Sequence, residues 1–419
     1  MGALSGSIAL RRYRVLGAPP ADFKQTYEKN VRAHALVPVD PSRNEDRSVG
    51  WCSLHDENDL ELDFGKFYLD GRVLLSLRVD VLKPPAAQVK RLLQQRQREL
   101  EAQRHTPLSA GALRDLKAIL VAELRQKTPP KTKTVDMIWE LDAQRLYFFS
   151  HSKGLNETLV GLFAQTFNLP IDLEGPGFWA SQLAEEETQL GGALKTARPT
   201  PELLGGFSGL RPCAMNEVAD NLNKEDDASS GETPPAEDAG ITDFRFLGRE
   251  FLTWLIMKAE GEGTSFEGAT DFFKVNLGVR VLCKAFGDGS AEIAARGNDP
   301  LEVRYAIAGG LTVREVDLLF ARSDRIWQAA VNAENFDLKR VKLPALLSEE
   351  DSERAHERLE LISDLDAMVQ AAYDVFLRIR LNPSWQTWTI ATMRAWLKDS
   401  IAADNGDGSA DHKGNGSAG

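Results

Sequence analysis

Between residues 73 and 81 the chain alternates: Val73, Leu75, Leu77, Val79 and Val81 fall on one side, and Arg72, Leu74, Ser76, Arg78 and Asp80 on the other. A period of two predicts a β-strand covered on one face. Pro84 and Pro85 stop it and suit a helix start, because a proline in a first turn forfeits no hydrogen bond. From residue 86 to about 104 the period turns helical. At about 100° per residue Val89, Leu93 and Leu100 lie within about 40° of each other, and Arg91 and Arg98 project about 170° away as a basic ridge. After Thr106 and Pro107, Leu113, Leu116, Leu120 and Leu124 make a second apolar stripe, so residues 86–127 are expected to form an antiparallel helical hairpin. It ends in the basic segment 126–133, which Pro129 and Pro130 keep out of helix.

The same reading places a strand at 7–15 and a helix at 22–34 with Phe23, Tyr27 and Val31 on one face. A β-hairpin over 135–141 and 145–150 and a helix at 154–167 follow. Further on, 244–258 is helical in pattern. The segments 275–286, 291–296, 302–308, 315–321, 326–331 and 337–343 are short, partly β-branched and bounded by Gly, Asn and Asp, which predicts an antiparallel sheet. Ser348 to Asp351 resembles a capping box opening a helix toward Ile379, and residues 385–401 form a last helix with Trp385, Trp388 and Trp396 on one side. Those tryptophans are expected in the core or at a dimer contact rather than as base-stacking platforms.

The fold class is therefore α+β, with mixed or antiparallel sheets, a protruding basic helical hairpin and a helical C-terminal segment. The domains expected are an N-terminal α+β domain over 1–175, an insertion over 176–240, a second α+β domain over 241–345, C-terminal helices over 346–401 and a disordered tail over 402–419. Within the insertion, residues 217–238 carry eight acids and one lysine with almost no apolar residues, a composition that cannot offset the entropy of ordering.

Charge changes the picture. The chain of 419 residues has a formal net charge of -12 from 50 basic and 62 acidic residues, which by itself argues against a nucleic-acid partner. Yet residues 1–170 hold 25 Lys and Arg against 20 Asp and Glu, and residues 86–134 hold eleven against four. The eleven are Lys90, Arg91, Arg96, Arg98, Arg104, Arg114, Lys117, Arg125, Lys127, Lys131 and Lys133. Such a cluster neutralises phosphates without reading sequence; a solvated helix face is the plainer alternative.

Other chemistry has less support. Cys52, Cys213 and Cys283 are widely spaced with no CxxC, so no disulfide framework or thiolate zinc site is expected, and a reducing cytosol is the natural compartment. No apolar run reaches the ~18 residues of a membrane span, and no secretory signal is recognisable, so no membrane partner is expected. The nucleotide-binding, serine-hydrolase, zinc-protease and EF-hand patterns are absent, and no cofactor is expected. The best enzymatic candidate pairs Asp317 with Asp337-Leu338-Lys339 on neighbouring strands, where two carboxylates could hold a divalent cation for a metal-dependent exonuclease.

The order of segments resembles the recombination-associated RdgC family of bacterial DNA-binding proteins. The resemblance is carried by Val49-Gly50-Trp51, the strand 74–81, Pro84-Pro85 with the basic hairpin, Met137-Ile138-Trp139, the strand 146–150, and the helix 155–167 ending in Leu169-Pro170. It continues with Ala306-Ile307-Ala308-Gly309-Gly310, Val316-Asp317-Leu318, Arg325-Ile326 and Leu338-Lys339-Arg340-Val341-Lys342. It implies a ring-shaped homodimer that surrounds double-stranded DNA without sequence preference, is nucleoid-associated in the cytoplasm and restrains a RecA-type recombinase. No residue is assigned a catalytic role, and an exonuclease label attached to that family keeps the nuclease reading as the runner-up. On the resemblance the DNA contacts are Lys90, Arg91, Arg96, Arg98, Arg104, Lys127, Lys131 and Lys133, with Arg296, Lys339, Arg340 and Lys342 as a second tier. Thr128-Pro129-Pro130-Lys131 stands where the family carries aromatic and basic gate residues, so ring closure must differ. An interaction protein that docks recombination factors through the acidic insertion, without touching DNA, is the remaining alternative.

Overall fold

The computed structural model describes residues 2–42, 45–205, 244–268, 271–284, 292–296 and 301–407. The chain forms an α+β structure of two compact units. One is Tyr13–Asp172; the other joins the residues up to Arg12 to the chain from Leu173 onward.

The unit Tyr13–Asp172 contains the second half of β1 (Ile8–Val15), α1 (Phe23–Ala33), β2 (Arg47–Ser53), α2 (Phe64–Phe67), β3 (Tyr68–Leu69) and β4 (Arg72–Val81). The hairpin α3 (Ala86–Arg104) and α4 (Ala110–Lys127) follows, then β5 (Lys131–Glu140), β6 (Arg145–Phe148) and α5 (Lys153–Phe167). Its sheet runs β6-β5-β4-β2, antiparallel throughout, with β3 on the first residues of β4. Trp51 and Trp139 meet Phe167 at ring centroids of 6.2 and 5.3 Å, and Tyr27 of α1 closes the cluster at 5.0 Å from Phe167. The indole of Trp51 donates to Thr166 Oγ1 at 2.8 Å, so even the polar atom of this core side chain is satisfied. Gly50 is required by a close approach: a Cβ there would lie 2.4 Å from the backbone nitrogen of Leu36.

β4 is covered on both faces, not one. Ser76 and Asp80, on the side expected to face solvent, are both 1% exposed. They are buried because they satisfy one another's neighbours: Ser76 donates to Asp136 at 2.8 Å, Thr132 donates to Asp80 at 2.8 Å, and Arg78 donates to both Asp80 oxygens at 3.0 Å. Alternation marks the strand, but polarity alone does not reveal whether a polar face is wet.

The other unit contains β7 (Ile171–Leu173) in part, α6 (Pro176–Glu186), α7 (Thr188–Thr196), α8 (Pro201–Gly205), α9 (Arg245–Ala259), β8 (Thr264–Glu267), β9 (Phe272–Lys284) and β10 (Glu292–Arg296). It continues with α10 (Leu301–Ala308), β11 (Thr312–Arg322), β12 (Arg325–Asn332), β13 (Leu338–Lys342), α11 (Asp351–Arg380), a π-helical turn at Trp385–Thr389, and α12 (Ile390–Asp407). Its sheet runs β10-β9-β11-β12-β13 and ends on the first half of β1, where Ile8 pairs with Val341 and Leu10 with Leu338. Phe251 of α9 lies 5.2 Å from Tyr373 and 5.6 Å from Phe376 of α11, so the later sheet segment and the C-terminal helices share one core. Gly248 permits that packing: a Cβ would fall 1.9 Å from the carbonyl oxygen of Ala333.

Several expectations are corrected here. Residues 302–308 are helix, because Val303, Ala306 and Ile307 are buried at helical spacing and outweigh the β-branched composition. Of the segment 126–133 expected outside helix, Gln126 and Lys127 instead close α4, and 131–133 begin β5. Glu350, not Ser348, is the N-cap of α11; the Glu357 carboxylate reaches back to accept from the backbone of Leu347 and Ser348 at 2.9 and 3.1 Å. The last helix extends to Asp407, into the stretch read as tail. Its three tryptophans do not share a side: Trp385 is buried and donates to Thr200 Oγ1 at 3.0 Å, Trp388 is 76% exposed, and Trp396 stacks beneath Arg304 at 5.1 Å. The π turn breaks the period on which that expectation rested. The acidic segment 217–238, Cys213 and residues 408–419 lie outside the described residues.

Asp374 on α11 makes a pH prediction. Burial raises its pKa to about 6, opposed by Arg378 and reinforced by Glu186 and Glu187. An acid with a raised folded pKa stabilises the fold below its unfolded value and loses that contribution as pH rises through about 6. Asp374→Asn is therefore expected to gain on the order of 1–2 kcal/mol relative to the parent at pH 7.5, with the gain shrinking toward pH 4. Urea denaturation of both proteins at the two pH values measures it; a gain independent of pH contradicts it.

Candidate nucleic-acid interface

The hairpin grows from a strand pair. α3 leaves the end of β4, α4 returns to the start of β5, and these strand ends are partners, Val81 opposite Lys131. The turn between the helices is built by His105 in the left-handed region, φ 53°, and by Ser109, whose side chain caps α4 by accepting from Ala112 N at 3.3 Å. Residues near either end of the hairpin sequence therefore gather at its root, and the middle of the sequence forms its far end.

That geometry sorts the basic residues. Lys90 lies on the second turn of α3, Lys127 is the last residue of α4, and Lys131 and Lys133 are on β5, all exposed. Lys131 and Lys133 share one face because side chains two apart on a strand point the same way; Thr132 between them turns to Asp80 on the other. Arg91 and Arg98 are exposed along α3 as the expected ridge. Arg104 ends that helix, about 21 Å along the axis from Lys90 at about 1.5 Å per residue. Arg96 is exposed but forms an ion pair with Glu99 one turn away at 3.2 Å. Among the described residues, no ion pair involves the side chains of Lys90, Arg91, Arg98, Arg104, Lys127, Lys131 or Lys133.

The structure places two further cations at this root and buries one of the eleven basic residues of 86–134. Arg47 of β2 sits opposite Val81, which sits opposite Lys131, so Arg47 is on the same sheet face two strands away; its guanidinium donates to Thr158 Oγ1 at 2.9 Å. Lys83, between β4 and α3, is exposed at the root. Neither belonged to a dense basic run that would have drawn attention to it. Arg125, by contrast, is buried: it pairs with Asp46 and donates to the carbonyl of Glu45 at 2.9 Å, fixing α4 to the segment before β2.

The second tier is different in kind. Lys339 donates to Glu315 at 2.7 Å, and Arg340 donates to Glu315 at 2.7 Å and Asp317 at 2.6 Å. Burial acts to raise the pKa of Glu315, but the hydrogen bonds from Lys339 and Arg340 outweigh it and hold the carboxyl below its ordinary value. These two cations are internally neutralised. Lys342 is exposed and makes no ion pair among the described residues, and Arg296 lies on β10 opposite Arg280. The same bonds dismantle the nuclease pattern: Asp337 is held by both arms of Arg11 at 2.8 and 2.7 Å, Asp317 by Arg340, and Lys339 by Glu315. Among the described residues no group of three or more His, Cys, Asp or Glu is placed to hold a metal ion.

Residues 81–134 contain no Phe, Tyr or Trp. A single-strand site uses aromatic platforms for base stacking, and this stretch supplies none. Among the described residues no helix is long and apolar enough to cross a membrane. No protein-family model matches the chain, and no curated protein matches it.

Proposed function

We propose that this chain binds double-stranded DNA without sequence preference, through phosphate contacts from the root of the α3–α4 hairpin and the ridge on α3. The observation that carries the proposal is the set of exposed cations at one strand end, Lys127, Lys131 and Lys133 with Lys90, which make no ion pair among the described residues while Lys339 and Arg340 do. A cation already paired with a carboxylate must lose that partner to meet a phosphate; an unpaired one only exchanges counterions. The homodimer, the closed ring and the restraint of a RecA-type recombinase rest on the resemblance of segment order to the RdgC family.

Fluorescence anisotropy with two duplexes of unrelated sequence, at about 50 and 200 mM salt, tests the reading. Equal affinities for the two sequences, falling at least about tenfold between the two salt concentrations, are expected for three or more phosphate contacts. Absence of duplex binding at the lower salt concentration, or affinity indifferent to salt, refutes it. Sedimentation of the free protein reports the dimer separately.

A further inference from the structure

The two helices of the hairpin part near their root, leaving a half-open cleft of about 600 Å³. Val89, Lys90 and Leu93 of α3 form one wall, Lys117, Val121 and Arg125 of α4 the other, and Lys83 and Pro84 lie at the base with Asp46. Its chemistry has two parts. The charge of Arg125 is already answered by Asp46, which leaves three lysines around the mouth with no ion pair among the described residues. The walls between them are aliphatic, with no aromatic ring and no hydroxyl or amide side chain to read a polar pattern.

A phosphodiester backbone satisfies the lysines but leaves the aliphatic walls uncovered, and a cleft of this size is in the range of small-molecule sites. A nucleobase would find nothing to stack on. We propose that the cleft binds a single-chain amphipathic anion, an alkyl body with a carboxylate or phosphate head. The chain lies along Val89, Leu93 and Val121, and the head is met by Lys83, Lys90 and Lys117. Lysine suits this role because its ammonium is a mobile point charge that follows a head group, and its own methylene stem adds to the apolar wall. The cleft shares Lys83 and Lys90 with the proposed duplex interface, but its occupation does not require duplex binding.

Isothermal titration of the full chain with decanoate and with decyl phosphate, both below their micellar concentrations, tests the proposal; decanol serves as the neutral control. Dissociation constants tighter than about 100 μM for at least one anion, with decanol much weaker, are expected. Which of the two heads binds more tightly identifies the natural head group. Lys117→Glu should weaken the anion at least about tenfold by reversing a charge at the mouth. Val121→Trp should abolish it by filling the cleft, while duplex affinity measured on the same preparation changes less than about threefold, because the substitution removes no charge and Lys127, Lys131 and Lys133 lie outside the cleft lining. Circular dichroism melting of each variant confirms its fold. Decanol binding as tightly as the anions, anion binding unaltered by both substitutions, or no heat with either anion overturns the proposal. Failure of duplex binding in the parent chain would count against the proposed DNA interface alone.

Discussion

Replacing Lys127, Lys131 and Lys133 together by alanine is expected to lower duplex affinity by roughly two to three orders of magnitude at about 0.1 M salt, and to flatten the salt dependence by up to about 2.7 logarithmic units. Each phosphate neutralised on B-form DNA contributes about 0.9 to the slope of log K against log salt, so three lost contacts give both numbers. The fold is not expected to suffer, because all three side chains are exposed and make no internal ion pair. Lys339→Ala is the matched control. It removes the same charge from a residue already committed to Glu315 at 2.7 Å, so duplex affinity should change less than about threefold. Equal losses from the triple variant and the control would show that internal pairing does not decide which cations reach DNA. A triple variant that binds like the parent would move the interface elsewhere.

Asp366→Ala is expected to destabilise the protein by about 3–5 kcal/mol. The side chains of Arg12 and Asp366 are both 0% exposed and ion-paired, Arg12 also donates to the carbonyl of Phe336, and its guanidinium lies 4.6 Å from the ring centroid of Trp179. Removing the carboxylate leaves a charge in the core without its counter-charge, which costs far more than the pair contributes when intact. For a unit of this size the melting temperature should fall by roughly 6–20 °C. The double variant Arg12→Met/Asp366→Leu, which removes both charges, should recover much of the loss. Chemical denaturation of the three proteins decides it; a single variant within about 1 kcal/mol of the parent would mean that water or another acceptor replaces Asp366.

The hairpin was legible in the sequence for a local reason. Helix periodicity, the Pro84-Pro85 entry and the turn near Thr106 are all properties of neighbouring residues, and α3 spans Ala86–Arg104 as its pattern predicts. Residues 302–308 misled for a reason equally local: a short β-branched segment suits strand or helix, and only its place against the core chose helix. The partners of the charged residues lie beyond such reasoning. Arg12 and Asp366 are 354 positions apart, Arg11 and Asp337 are 326 apart, and Arg340 and Asp317 are on different strands.

By itself the amino-acid order determined most of the longer elements, the helical hairpin among them, the α+β class and the concentration of positive charge between residues 86 and 134, since each of these is set by period, composition or count. Tertiary structure alone decided which of those charges remain available. It set Arg125 to holding α4, as it set Arg340 to answering Glu315 and Asp317, and it put Arg47 on the sheet face of Lys131, two strands away. The physical reason is that an ion's availability depends on what lies within a few ångströms of it, and in a folded chain that neighbourhood is supplied by strands and helices distant in sequence.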